Sequence, residues 1–143
     1  MGDFSRADAL AFLSSWPAKL AHVSTARNDG STVTVPVWYR IDTDAEQLLI
    51  WTGHERRWVK RVVASGHLSF SVAEDGFPLR GVMGGGPAAV LGDGEIDVDA
   101  ERARIIERYV MGHLINAYTE SRSEYRAILR VDLQQLNGWT FAH

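Results

Sequence analysis

Apolar residues recur along this chain with two periods, and each change of period marks a predicted element. Near the start, Ala9, Leu10, Phe12 and Leu13 have helical spacing, with Ser5 as candidate cap and Pro17 beyond the end. Two β-rich runs follow, Leu20 to Ala26 and Thr32 to Ile41, separated by Asn28-Asp29-Gly30-Ser31. An Asp-Gly turn between such runs predicts a hairpin, because glycine accepts the positive φ that the turn requires. Asp42 to Glu46 reads as a second turn, leading into a short apolar strand, Gln47 to Thr52. Gly53 ends that strand, and His54 to Ser65 has helical spacing up to Gly66. His67 to Ala73 then alternates, with Leu68, Phe70 and Val72 on one side.

Leu79 to Leu91 is the next strand, interrupted by Gly84-Gly85-Gly86-Pro87. Proline predicts an edge or a bulge there, and the glycines admit close approach of a ligand or a partner subunit. Asp99 is the expected cap of a helix running to about Leu114. Tyr125 to Leu133 is the last strand, before Asn137-Gly138 and a tail containing Trp139. The order is helix, three strands, helix, two strands, helix, strand. Tight early turns imply antiparallel pairing, hence a small, mainly β barrel of six strands with peripheral helices. A doubly wound parallel sheet would need regular strand–helix alternation, which is missing. With no repeat or linker, one domain is expected over residues 1–143.

Composition narrows the chemistry. The chain has 143 residues, 45% hydrophobic, enough to bury roughly two-thirds of its unfolded surface. It has no cysteine, which removes disulfides, thiolate nucleophiles and Cys-ligated zinc or iron–sulfur centres. Fifteen Lys+Arg against 18 Asp+Glu give a net charge of −3, which argues against a protein held mainly by nucleic-acid phosphates. No apolar run approaches the roughly 18 residues of a membrane span, and Met1 to Arg6 does not read as an export signal. A cytoplasmic protein is expected.

The five histidines (His22, His54, His67, His113 and His143) have no zinc-binding spacing, so no metal site is expected. His22 and His67 read as structural imidazoles, and His54 stands at a helix start where it could touch a phosphate. Asp93, Glu95, Asp97 and Asp99 lack the calcium-loop pattern and read as a loop and cap. Tyr118 and Tyr125 read as packing residues. Nothing recommends a nucleophile–base pair, so no catalytic residue is named.

Two features carry candidate chemistry. Arg56, Arg57, Lys60 and Arg61 fall within an arc of roughly 140° at about 100° per residue, while Trp58, Val59, Val62 and Val63 fall opposite. Following Thr52-Gly53, they put guanidinium groups and a helix start together, a natural phosphate site. The same cations would equally serve as a solvated face in ordinary ion pairs. The second feature is Val35-Pro36-Val37-Trp38-Tyr39. Proline belongs on a strand edge. Such an edge could seat a flat heteroaromatic ring, or form a bulge with Trp38 in the core.

These segments occur in a meaningful order. His22 to Gly30, Val35-Pro36-Val37-Trp38, Trp51-Thr52-Gly53, Arg56-Arg57-Trp58-Val59-Lys60 and His67 to Val72 together resemble the pyridoxamine 5′-phosphate oxidase-like family, the flavin-binding split β-barrels. The likeness covers roughly Leu20 to Leu91, with weaker agreement through the last strand. It implies a homodimer binding FMN at the subunit interface, or the deazaflavin coenzyme in some relatives. It also implies hydride transfer to or from a small-molecule substrate, the alternative being a non-catalytic flavin- or haem-binding protein. By the same resemblance, Val35, Pro36, Val37 and Trp38 lie against the isoalloxazine ring. Trp51 and Thr52 approach the ribityl and phosphate, and Arg57 and Lys60 bind the phosphate. Arg40 matches a basic position at the end of the second strand.

Two departures stand out. The lysine of the family's Ser-Arg-Lys is Trp58 here, and its serine is Arg56, so Arg56 becomes a candidate to supply the missing charge. An arginine of the oxidases proper appears as Val35. The C-terminal residues that grip the substrate phosphate in those oxidases are not found, so vitamin B6 oxidation is not expected. Single-stranded nucleic acid held by Arg56 to Arg61 with Trp38, Trp51 and Trp58 as stacking groups is disfavoured by the acidic balance.

Overall fold

The Asp29-Gly30 turn closes a hairpin. β1 (Ala21–Ala26) and β2 (Thr32–Val37) run antiparallel from Ala26↔Thr32 to Ala21↔Val37, and Gly30 takes φ +88°. The computed structural model describes residues 4–141; residues 1–3 and 142–143 lie outside the described residues, and with them His143. Before the hairpin, α1 (Arg6–Ser14) begins in a capping box, Ser5 and Asp8 each bonding the other's backbone, and buries Ala9, Phe12 and Leu13.

The second predicted strand does not continue to Ile41. It breaks after Val37 and resumes as β3 (Arg40–Asp42). The cause is Tyr39, which is fully buried and donates its hydroxyl hydrogen to the Leu13 carbonyl at 2.7 Å. Its own N–H and C=O bond to Tyr109 and Arg108 rather than to a strand. β3 pairs with β4 (Gln47–Thr52), which in turn pairs with β7 (Ala127–Asp132). α2 (Arg57–Ser65) starts three residues later than the periodicity suggests, and Gly66 ends it at φ +69°.

β5 (His67–Ala73) keeps the predicted alternation, with Leu68, Phe70 and Val72 buried. β6 (Leu79–Leu91) is neither an edge nor a bulge. It pairs with β5, with β7, and with a further strand, β8 (Gln135–Phe141). Pro87 fits because it lies between Gly85, the last partner of β8, and Ala88, the first partner of β7. The glycines of this strand accommodate the chain's own backbone. A Cβ at Gly84 would meet the Gln135 carbonyl, and one at Gly86 the Asp132 carbonyl.

Strand order is β2-β1-β5-β6-β7-β4-β3, with β8 on β6, and every named strand pair is antiparallel. This is a split β-barrel with peripheral helices, of eight strands rather than six. The count differs because of the break at Trp38-Tyr39 and because the Trp139 tail is a strand. Asn137-Gly138 lies within this added strand: it pairs with Met83 and Val82, and Gly138 lies under the Phe4 ring, where a side chain would collide. The predicted helix from Asp99 to Leu114 is also two elements. α3 (Val98–Glu107) is capped by Asp97, whose carboxylate accepts from the Ala100 N–H at 3.1 Å. A 3-10 turn (Gly112–Leu114) then leads into α4 (Ile115–Ser121). Among the described residues no helix is long and apolar enough to cross a membrane.

Candidate functional site

The edge position of β2 sets the site. Pro36 faces His22 on β1 and leaves the other side of β2 without a strand, so its missing N–H disrupts no ladder. Beside this edge lies an open cleft of about 280 Å³. Val35, Pro36, Val37 and Trp38 form one wall, and Trp51 and Thr52 at the end of β4 form another. Arg56 and Trp58 come from the start of α2, and Leu20 and Ile105 add apolar surface. Tyr118, Arg122 and Tyr125 close it from α4 and the segment beyond.

Aromatic contacts hold the walls. Trp38 stacks on Tyr109 at 4.7 Å and 2°, and on Tyr118 at 4.8 Å and 26°. The Trp51 indole N–H donates to the Tyr125 carbonyl at 2.7 Å, and its ring meets Tyr118 and Tyr125 edge-on. Burial pushes the Tyr109 phenol above its ordinary value, and its hydroxyl donates to the Lys19 carbonyl at 2.7 Å. Behind it, burial pushes the Tyr39 phenol up to about 12. These two groups are neutral fixtures, not proton donors near pH 7.

Electropositive groups face the same space. Arg56 donates to the Tyr125 hydroxyl at 3.1 Å, and the Arg122 guanidinium lies 4.3 Å from the Tyr118 ring centroid. Neither is ion-paired with a carboxylate among the described residues. A second group of charges sits near Trp51. Arg126 bonds Asp93 and Asp99 and holds both carboxyls below the usual carboxylate range, while Arg102 lies 5.7 Å from the Trp51 ring.

A model of the pyridoxamine 5′-phosphate oxidase family matches residues 8–140. The chain belongs to that family. Solved structures agree on the fold. A conserved hypothetical protein from Mycobacterium tuberculosis superposes with a TM-score of 0.77 at 18% identity, covering 98% of this chain and 88% of that one. An FAD-binding protein from Mesorhizobium loti gives 0.74 at 16% identity, covering 99% and 98%. The haem storage protein HutZ from Vibrio cholerae gives 0.64 at 15% identity, covering 85% of each chain. No curated protein matches the sequence significantly.

Within this oxidase-family fold, seven of the nine predicted site residues share the cleft: Val35, Pro36, Val37, Trp38, Trp51, Thr52 and Arg56. Arg57 and Lys60 do not line it. They turn to a shallow groove with Arg27, Asn28, Asp29, Arg61 and Ala64. The expected single cationic patch is therefore divided. Arg56 is the extended residue that precedes α2, at ψ 133°, so it leaves the helical arc that its three neighbours share. Trp58, at the family's lysine position, is buried and packs its ring in the core while one edge reaches the cleft.

Other expectations change as well. Arg40 pairs with Glu101 and takes no part in the cleft. His54 lies against Gly92 rather than among the cleft residues, and His22 and His67 are exposed. Among the described residues no cluster of His, Asp and Glu is arranged for a metal. Tyr118 and Tyr125, which read from the sequence as packing residues, line the cleft, as do Arg122, Leu20 and Ile105, which the sequence did not single out. The four-residue spacing of Tyr118 and Arg122 is a helical signal, hidden because Gly112 and the polar surroundings break the longer apolar period.

Proposed function

We propose that this protein is a flavin-dependent oxidoreductase and that the Trp38–Trp51 cleft receives the ring of an FMN-type cofactor. The observation that carries this reading is the pairing of an aromatic-walled cleft on a free strand edge with two arginines that have no carboxylate partner among the described residues. The donor set fits such a group. Flat walls favour a planar ring, unpaired edge-strand amides suit its polar rim, and arginines suit its phosphate. At about 280 Å³ the cleft holds a ring rather than a whole nucleotide, which supports completion by a second copy of the chain.

When bound, the cofactor supplies the hydride chemistry. Trp38 and Trp51 orient its ring and keep water from one side. Arg56 holds the phosphate end beside Thr52, with Arg57 and Lys60 reinforcing the positive potential from the neighbouring groove. Arg122 offers a charge to the acidic group of a second small molecule. The cleft lining includes no Asp, Glu or His, so no side chain among these residues is assigned a proton to move.

The test is to purify the protein from cells without added cofactor, record its visible absorption and identify the released ligand by mass spectrometry. A flavin spectrum with FMN released supports the reading, and deazaflavin would retain the ring site while changing the cofactor. A colourless protein that takes up neither on titration would overturn it. A flavin that is bound but never reoxidised faster by any acceptor would make this a binding protein without turnover.

A further inference from the structure

Trp38 has two stacked partners of very different standing. Tyr109 is locked: its hydroxyl donates to the Lys19 carbonyl at 2.7 Å and accepts from the Tyr39 N–H at 3.2 Å, and its ring lies within 2° of parallel to Trp38. Tyr118 stacks at nearly the same distance, yet its hydroxyl makes no hydrogen bond with any described residue. The element carrying it is weakly seated. Neither the 3-10 turn nor α4 buries a residue, no side chain caps either start, and Met111 and Leu114 before α4 are 68% and 48% exposed. A seven-residue helix is well below the roughly 12–15 residues at which isolated helices become even marginally stable. Tyr118 therefore rests on ring contacts with Trp38 and Trp51, and beyond these α4 packs chiefly against α3 and its own preceding turn.

We propose that Tyr118 is a resident occupant of the ring position on Trp38, and that α4 is a flap that swings away when a planar ligand takes that position. This rests on the reading of the cleft as a ring site. Stacking of a tricyclic ring on Trp38 replaces the Trp38–Tyr118 contact, so the exchange forfeits only the edge contact of Tyr118 with Trp51. The flap also carries Arg122, so its displacement moves a cation with no carboxylate partner among the described residues, and an anionic ligand can re-engage it after entry. Tyr109 stays in place and keeps Trp38 at a constant angle through the exchange.

The direction of a single substitution separates a movable occupant from a fixed wall. Free FMN is titrated into the intact wild-type protein and into Tyr118→Ala, following flavin fluorescence, and hydrogen exchange is measured across residues 115–121. An occupant that competes for Trp38 predicts FMN binding tighter in Tyr118→Ala by at least roughly three- to tenfold, the fold-change that matches one of the two aromatic pairs of Tyr118. Tyr118→Phe, which keeps the ring, should bind as wild type does. Amides of α4 should exchange faster once FMN is bound. Equal or weaker binding by Tyr118→Ala, or slower exchange in α4 on binding, would overturn the flap while leaving the ring site intact. Failure of both wild type and Tyr118→Ala to bind either FMN or deazaflavin would overturn the ring site and the flap together. Should Tyr118→Ala not fold, Tyr118→Leu keeps an apolar group on α4 and is read by the same outcomes.

Discussion

Arg40 grips Glu101 at two points, Nε donating to Oε2 at 2.9 Å and Nη2 to Oε1 at 2.8 Å. Glu101 is only 6% exposed, so this fork fastens α3 to β3 inside the protein. Arg104 adds a third bond at 2.7 Å, but its side chain is largely in solvent and contributes little. Glu101→Ala removes the fork and leaves Arg40 partly buried without its carboxylate. The expected loss is about 2–3 kcal/mol, read from the urea midpoint. Because α3 carries Ile105 into the cleft, the same variant should also weaken FMN binding.

The Tyr39 phenol sets a stability limit at high pH. Burial raises its folded value to about 12 from the ordinary value of about 10, so the fold favours the neutral form. The stabilisation is fully present below pH 10 and is lost as pH rises through 12, because the unfolded chain releases its proton first. Two pH units correspond to about 2–3 kcal/mol. Denaturant titrations from pH 9 to 12 should show this decline, and Tyr39→Phe should flatten it. At pH 7 that variant should cost about 1 kcal/mol through the lost bond to the Leu13 carbonyl.

Arg57 and Lys60 lie outside the aromatic cleft, so their effect on a ligand should be electrostatic and confined to its charged end. Arg57→Gln with Lys60→Gln should weaken FMN about tenfold at low salt and leave riboflavin unchanged. Arg56→Gln should weaken FMN in a less salt-dependent way, since Arg56 lines the cleft itself. Fluorescence titrations with both flavins check this. Equal losses for riboflavin would show that these residues support the fold instead of a phosphate.

At Gly86 another stretch of backbone passes close to the strand. A Cβ there would sit against the Asp132 carbonyl, and a main-chain atom cannot rotate away. Gly86→Ala should therefore cost at least about 2 kcal/mol, read as a lowered thermal midpoint. Gly76→Ala, where an added Cβ meets nothing, should be nearly neutral. Ligand binding should follow stability in both variants.

Local order was plainly legible. The β1–β2 hairpin, the alternation of β5 and the buried stripe of Trp58, Val59 and Val62 follow from turn chemistry and side-chain period, which act over a few residues. β8 was not legible, because Gly138 weakens the local strand signal and is required only by the crossing Phe4 ring. The break at Tyr39 was hidden for a similar reason: its backbone partners, Arg108 and Tyr109, lie about 70 positions away.

The candidate site divides along the same line. Aromatics on a proline-bearing edge and cations after Thr52-Gly53 are properties of neighbouring residues and are legible without the fold. Which of those cations face the aromatics is a matter of backbone direction at one residue: Arg56, extended, points to Tyr125, while Arg57 and Lys60, helical, turn toward Arg27. Tyr118, Arg122 and Tyr125 reach Trp38 and Trp51 only after β7 pairs with β4 and draws the preceding segment across the cleft. Period and composition register what each residue prefers to bury. Only closure of the barrel decides which distant residues meet, because burial is satisfied by many partners and the sheet register selects one.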